Sequence, residues 1–200
     1  MNMSYDKLLH IETEKVQVGF NKSYHYHRYE PTPYEDLEKL VHVFPLRQTD
    51  CVVDFGCGKG RLNFFLHYLF KSTVKGIEMN EVFYLDAMRN FEQYSKRNKR
   101  IKEKILFYHC KAEDYTIQEE DNCFYFFNPF SIQVFQKIMN NILCSLEQTA
   151  RTVTIIIYYP SEDYQLYLNN HSIFYRTHEV EVGIRKNKEK EKFIIYQNVM

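Results

Sequence analysis

The sequence has no tryptophan, few glycines and prolines, and no excess charge of either sign. Of its 200 residues, 26 are basic and 26 acidic, so the formal net charge is zero. A strongly basic overall field of the kind that gathers nucleic acid is not indicated, which leaves only a local patch for that role. Cysteines number five, at positions 51, 57, 110, 123 and 144. That count is odd, and the spacings fit neither a paired C-x-x-C zinc site nor a redox dithiol. Several sit in apolar runs and read as small buried hydrophobes in a reducing cytoplasm. No apolar run is long enough to span a membrane, and Met1 to His10 lacks the apolar core of a signal peptide. A cytoplasmic location without a membrane partner is therefore the expectation. There is no internal repeat and no low-complexity linker. What the chain does have is aromatics: 17 tyrosines and 16 phenylalanines must fill much of its core. The length fits one domain with a substantial interior.

The most informative stretch is Cys51-Val52-Val53-Asp54-Phe55-Gly56-Cys57-Gly58-Lys59-Gly60. An apolar run ends in an acid, and three glycines follow at alternate positions. Arg61-Leu62-Asn63-Phe64-Phe65-Leu66 can then start a helix. A strand, a glycine turn and a helix in so short a span let backbone approach a ligand closely, because no Cβ intervenes. A dinucleotide fingerprint, G-x-G-x-x-G, needs a glycine where Arg61 or Asn63 stands. The pattern is instead D-x-G-x-G-x-G. It resembles the first motif of class I S-adenosylmethionine-dependent methyltransferases.

That resemblance implies an α/β fold: a three-layer sandwich on a mostly parallel, doubly wound sheet with a C-terminal antiparallel hairpin. It implies S-adenosyl-L-methionine as cofactor. Residues 1–35 are expected to form an N-terminal cap or strap, and residues 36–200 the cofactor-binding domain. Asp54 suits the ammonium of the cofactor's amino-acid tail, and Gly56, Cys57, Gly58 and Gly60 form the turn that makes room for the rest. Thr73-Val74-Lys75-Gly76-Ile77-Glu78 reads as the next strand. Its terminal Glu78 is placed to accept hydrogen bonds from both ribose hydroxyls, with Met79 against the adenine. The plainer alternative is that Glu78 or Asn80 caps the next helix. In the loop Cys110-Lys111-Ala112-Glu113-Asp114, Lys111 stands where the family usually has an acid. Ala112 offers its backbone N–H to the adenine edge, and Glu113 is the candidate acceptor for the adenine amino group.

Asn122 to Phe127 is a continuous apolar run, as a strand buried on both faces should be. It ends in Asn128-Pro129-Phe130-Ser131. This resembles the Asn/Asp-Pro-Pro-aromatic motif of amino-group methyltransferases, with one proline fewer and the aromatic one place early. The resemblance implies that Asn128 and the Pro129 carbonyl orient a target nitrogen and that Phe130 packs on the acceptor. Alternatively, Asn128 or Ser131 caps the following helix, and both roles are compatible.

The remaining elements follow from periodicity. Asp6 to Thr13 reads as a short helix. Pro33 to Val43 reads as a helix with Leu37, Leu40 and Val41 on its apolar face. Asn80 to Lys96 is a long helix with Val82, Leu85, Met88 and Phe91 on one side. The last two strands fall at 173–182 and 192–198, joined by an exposed charged loop. Tyr24 to Tyr34 is aromatic and extended because of its two prolines. Thr32, Tyr34 and His27 there either contact the ligand or simply pack on the surface. His25 and His27 lack an acid or cysteine set, so no metal is expected. The basic run Lys96 to Lys102 either meets phosphates or caps a helix end favoured by the macrodipole. The function expected is methyl transfer to a nitrogen of an unidentified small-molecule, protein or RNA acceptor. The alternatives are a cofactor-binding module without catalysis and an RNA-directed methyltransferase.

Overall fold

A computed structural model describes residues 4–14, 30–98, 101, 103–128, 130–170, 173–182 and 191–199. His25, His27, Pro129, most of the 185–191 loop and Lys99, Arg100 and Lys102 of the basic run lie outside the described residues.

The chain runs α1 (Tyr5–Leu9), α2 (Tyr34–Val43), β1 (Cys51–Phe55), α3 (Arg61–Phe70), β2 (Thr73–Glu78), α4 (Glu81–Ser95) and β3 (Ile105–His109). A short 3-10 turn at Ala112–Asp114 leads to β4 (Cys123–Phe126), α5 (Ile132–Gln148), β5 (Thr154–Tyr158), α6 (Glu162–Asn169), β6 (Phe174–Glu181) and β7 (Lys192–Asn198). The seven strands form one sheet in the order β3-β2-β1-β4-β5-β7-β6. The first five are mutually parallel, and β7 lies antiparallel between β5 and β6. This is the doubly wound sheet with a C-terminal hairpin that the sequence led us to expect.

Alternation along each strand divides the core between the two faces. Val53, Phe55, Phe124, Phe126, Ile155 and Ile157 face α5 and α6. Val52, Val74, Cys123, Tyr125 and Ile156 face α2 and α3. Every residue of β1, β4 and β5 is buried, which is why those segments are apolar apart from Asp54 near the end of β1 and Thr154 at the start of β5. A buried cation also stands in mid-strand. Lys75, in the middle of β2, reaches Glu120 and Asp121, each at 2.7 Å.

Helix α4 departs from its expected face. The buried positions are Phe83, Ala87, Asn90 and Tyr94, whereas Val82 is 60 % and Leu85 45 % exposed. Two facts set this rotation. The Asn80 side chain caps the helix by accepting from the Val82 and Phe83 amides at 3.0 and 3.3 Å. Tyr94 also packs its ring against Phe64 at a tilt and hydrogen-bonds His67, which anchors the far end. Two buried aromatic rings outweigh two aliphatic side chains. Helix α1 is shorter than expected, because His10 adopts a left-handed conformation (φ 56°) and closes it. Cysteines 51, 57 and 123 are buried as expected, Cys110 is half-buried, and Cys144 on the outer side of α5 is exposed.

Gly56, Gly58 and Gly60 all have positive φ (82°, 55° and 83°). At Gly60 packing adds a second constraint: a Cβ there would lie 2.7 Å from Phe107 Cζ and 2.9 Å from Phe64 Cε2. Alanine in this conformation costs about 1–2 kcal/mol, and the overlap costs about 1–3 kcal/mol more. Gly60→Ala should therefore destabilise the fold by roughly 2–5 kcal/mol in urea unfolding. An unchanged midpoint would refute this packing role.

Candidate cofactor and acceptor site

Ligands of an open α/β sheet sit beyond the carboxyl ends of its strands, where the winding direction reverses. Here that point lies between β1 and β4. A cavity of about 330 Å³ opens there, within the range of small-molecule sites. Its walls come from the ends of β1, β2, β4 and β5 and from residues 30–32 of the N-terminal region. A larger groove runs between residues 6–14 and α4, but it is open and carries mixed charges, including a Lys59–Asp86 contact at 3.5 Å.

The glycine turn is tied to the neighbouring strand, since the Gly56 and Cys57 amides donate to the Ile77 carbonyl at 2.9 and 3.1 Å. Glu78 then closes the turn from the other side. Its Oε2 accepts from the Gly58 amide at 2.9 Å and its Oε1 from the Asn80 amide at 2.7 Å. These bonds fix the carboxylate in one orientation and leave further lone pairs on each oxygen. Asn80 is thus the cap of α4, while Glu78 faces the cavity.

Asp54 is 4 % exposed. With its amide oxygen turned to the Gly76 N–H, Asn63 donates to Asp54 Oδ2 at 3.1 Å. Burial, and then repulsion from Glu78, push the Asp54 carboxyl well above the usual carboxylate range. Burial likewise raises Glu78, opposed by its backbone hydrogen bonds. Two carboxyls at one cavity, each disfavoured as an anion, make a site that attracts a cation. Burial and the same two carboxyls hold the Cys57 thiol well above its ordinary range, so Cys57 is a neutral wall and not a nucleophile.

The structure brings Asp54, Gly56, Cys57, Glu78, Met79, Ala112, Asn128 and Phe130 to the cavity. Gly58 stands behind Glu78, and Gly60 turns toward Phe107. Glu113 is not among the lining residues; its carbonyl accepts from the Asn141 amide at 2.9 Å. Phe130 is 4 % exposed, and its carbonyl accepts from the Tyr164 hydroxyl at 2.7 Å. Of the N-terminal candidates, Thr32 lines the cavity and bonds the Tyr125 hydroxyl at 2.8 Å. Tyr34 stacks under Arg61 at 4.5 Å.

Sequence reasoning missed Arg61, Asn63, Tyr125, Phe127 and Tyr159. Tyr159 carried a signal, since it follows a β-branched strand directly before Pro160. It has φ 56°, and Asn128 has φ 36°. Two of the four non-glycine residues with positive φ among the described residues thus line this one cavity, and such strain gathers at functional sites. Lys96, Arg97 and Asn98 are absent from it. They follow the C-terminus of the 15-residue helix α4, about 20 Å from the end that touches the cavity. No group of His, Cys, Asp and Glu able to hold a metal occurs among the described residues. No helix among them is long and apolar enough to cross a membrane.

No protein-family model matches the sequence, and no curated protein does. Solved structures do match. An RNA methyltransferase from Salinibacter ruber in complex with S-adenosyl-L-homocysteine superimposes with a TM-score of 0.58 at 15 % identity, over 84 % of this chain and 92 % of that one. An rRNA methylase from Streptococcus thermophilus gives 0.51 at 18 % identity, over 82 % and 93 % of the two chains. Geranyl diphosphate C-methyltransferase from Streptomyces coelicolor A3(2), with Mg2+, geranyl diphosphate and S-adenosyl-L-homocysteine, gives 0.56 at 12 % identity, over 82 % and 76 %. At these identities the likeness is one of fold.

Proposed function

We propose that the protein is an S-adenosylmethionine-dependent methyltransferase acting on a nitrogen of a planar acceptor. One observation carries the reading. Two buried carboxyls, Asp54 and Glu78, stand at the ends of adjacent strands around a glycine turn, on a cavity of about 330 Å³. The likeness of the whole fold to solved methyltransferases supports it.

The residues present fit the cofactor. Asp54 would pair with the tail ammonium, and Glu78 would accept both ribose hydroxyls. Met79 and Ala112 would border the adenine. When bound, the cofactor supplies a methyl carbon already activated by its sulfonium. The protein's task is then to align the acceptor and exclude water. Asn128 at the end of β4, with the Pro129 carbonyl, would accept the acceptor's N–H groups and aim the nitrogen lone pair. Phe127, Phe130 and Tyr159 would offer ring faces to a planar acceptor. Residues 30–32 of the N-terminal region, which line the cavity, would border the tail. A nucleobase of RNA as acceptor is the second reading. It is favoured by these ring faces and by the likeness to RNA methyltransferases.

The test is incubation with S-adenosylmethionine labelled in its methyl group and fractionated cell extract. Label should appear in one fraction. Asn128→Ala should bind the cofactor within about twofold of wild type by calorimetry, yet transfer methyl roughly 100-fold more slowly. Equal turnover would refute the role of Asn128. Tight cofactor binding with no labelled fraction would favour a binding module without catalysis.

A further inference from the structure

Two wall residues of the cavity are held in strained backbone: Asn128 (φ 36°) just after β4 and Tyr159 (φ 56°) just after β5. Such conformations persist only where the surroundings over-determine them. Tyr164 of α6 is tied to both loops. Its amide donates to the side chain of Ser161, the N-cap of α6, at 3.3 Å, which fixes it to the segment that starts with Tyr159. Its hydroxyl donates to the Phe130 carbonyl at 2.7 Å, two residues beyond Asn128. Tyr164 is 1 % exposed, and burial raises its phenol above the usual range, so the hydroxyl keeps its proton. The ring is fixed as well. It stacks on Phe135 of α5 with centroids 3.8 Å apart and planes 13° apart. Phe135 in turn meets Phe126, the last residue of β4, edge-on at 5.1 Å.

The loop that carries Asn128 is therefore clamped at both ends. Phe126 is held in the sheet by its register with Phe55 and Ile157, and Phe130 is held by the Tyr164 hydroxyl. Asparagine enters left-handed backbone at less cost than most residues, and between two fixed ends it does so. We propose that Tyr164 is a positioning residue for methyl transfer: by holding the Phe130 carbonyl it keeps Asn128 in the left-handed conformation that presents its side chain to the acceptor. The inference rests on the methyltransferase reading above. Tyr164 is not among the residues lining the cavity, so it acts on the acceptor only through the loop. Removing its hydroxyl frees the Phe130 end of that loop. Asp54 and Glu78, at the ends of β1 and β2, keep their own partners. The loss should thus fall on the transfer step and spare cofactor binding.

The experiment compares Tyr164→Phe with Tyr196→Phe in the full chain. Each variant removes one hydroxyl and keeps its ring. The Tyr196 hydroxyl donates to Asn169 Oδ1 at 3.0 Å, at the C-terminal end of the same helix. Tyr164→Phe should bind S-adenosylmethionine within about twofold of wild type by calorimetry. It should methylate the labelled extract fraction about 10-fold more slowly, with the loss in kcat and not in the KM for S-adenosylmethionine. Nuclear magnetic resonance should show the Asn128 backbone carbon shifts leaving their left-handed values. Tyr196→Phe should change neither turnover nor those shifts. A Tyr164→Phe variant with wild-type kcat overturns the proposal. So does an equal loss in Tyr196→Phe, since that is the signature of a purely structural role for α6. A wild type whose Asn128 shifts are those of extended backbone also overturns it, and that result needs no variant to fold. If wild type labels no fraction, the methyltransferase reading fails and takes the proposal with it. If wild type labels a fraction and Tyr164→Phe does so at full rate, the positioning role alone fails.

Discussion

Glu78→Gln should lose about 100-fold or more in affinity for S-adenosylmethionine and remain folded. The retained amide oxygen can still accept from either the Gly58 or the Asn80 amide, which now reach Oε2 and Oε1 at 2.9 and 2.7 Å. What glutamine cannot supply is a second acceptor and a negative charge for the ribose hydroxyls. Two charge-assisted hydrogen bonds, each contributing about 1.5–3 kcal/mol, set the scale of the loss. Alanine would be a poorer test, because it also orphans both backbone donors and loosens the turn. Calorimetry alongside thermal unfolding separates the two effects. A well-folded Glu78→Gln with wild-type affinity would remove Glu78 from the site.

The second large effect is linked to protons. In the free protein Asp54 is pushed above the usual carboxylate range by burial and by Glu78. A group raised in the folded state favours folding most at low pH, and that contribution is lost as pH climbs through the raised value. An arriving ammonium acts oppositely, since it stabilises the ionised form and lowers the pKa again. Binding should therefore expel a proton from Asp54. The window starts above the ordinary aspartate value of about 4 and ends where free Asp54 ionises. Across it, affinity should rise with pH. Titrations in buffers of different ionisation heat should report this release, and Asp54→Asn should abolish it while weakening binding by roughly 100-fold. A binding enthalpy independent of buffer throughout the window, in the wild type, would contradict the pairing.

Much of this was legible in the chain because the signals are local. The runs 51–53, 123–126 and 155–158 are apolar where the strands are buried on both faces. An acid at the end of one strand and another at the end of the next mark a site that the parallel pairing of β1 and β2 then assembles. What was not legible depends on contacts far apart in sequence. Arg61 meets Thr13 48 positions away, and Thr32 meets Tyr125 93 positions away. Neither has a local pattern. Arg61 did leave a trace, as a cation placed against the dipole of the helix it starts. The buried face of α4 departs from its aliphatic periodicity because the helix buries the rings at 83 and 94, the latter against Phe64 of α3. Glu113 illustrates the opposite case. Its residue type suits the adenine amino group, but the turn it occupies directs its carbonyl to Asn141 and leaves Glu113 outside the cavity wall.

The central claim is that one adenosyl sulfonium compound lies across the β1/β4 switch point, gripped at its tail and at its ribose. A crystal structure of the protein grown with S-adenosyl-L-homocysteine tests it most directly. The account predicts the ribose hydroxyls on the Glu78 carboxylate, the tail ammonium on Asp54, and the ligand inside the cavity between Met79 and Asn128. The ligand seated in the groove beside α4, or absent at saturating concentration, would contradict it.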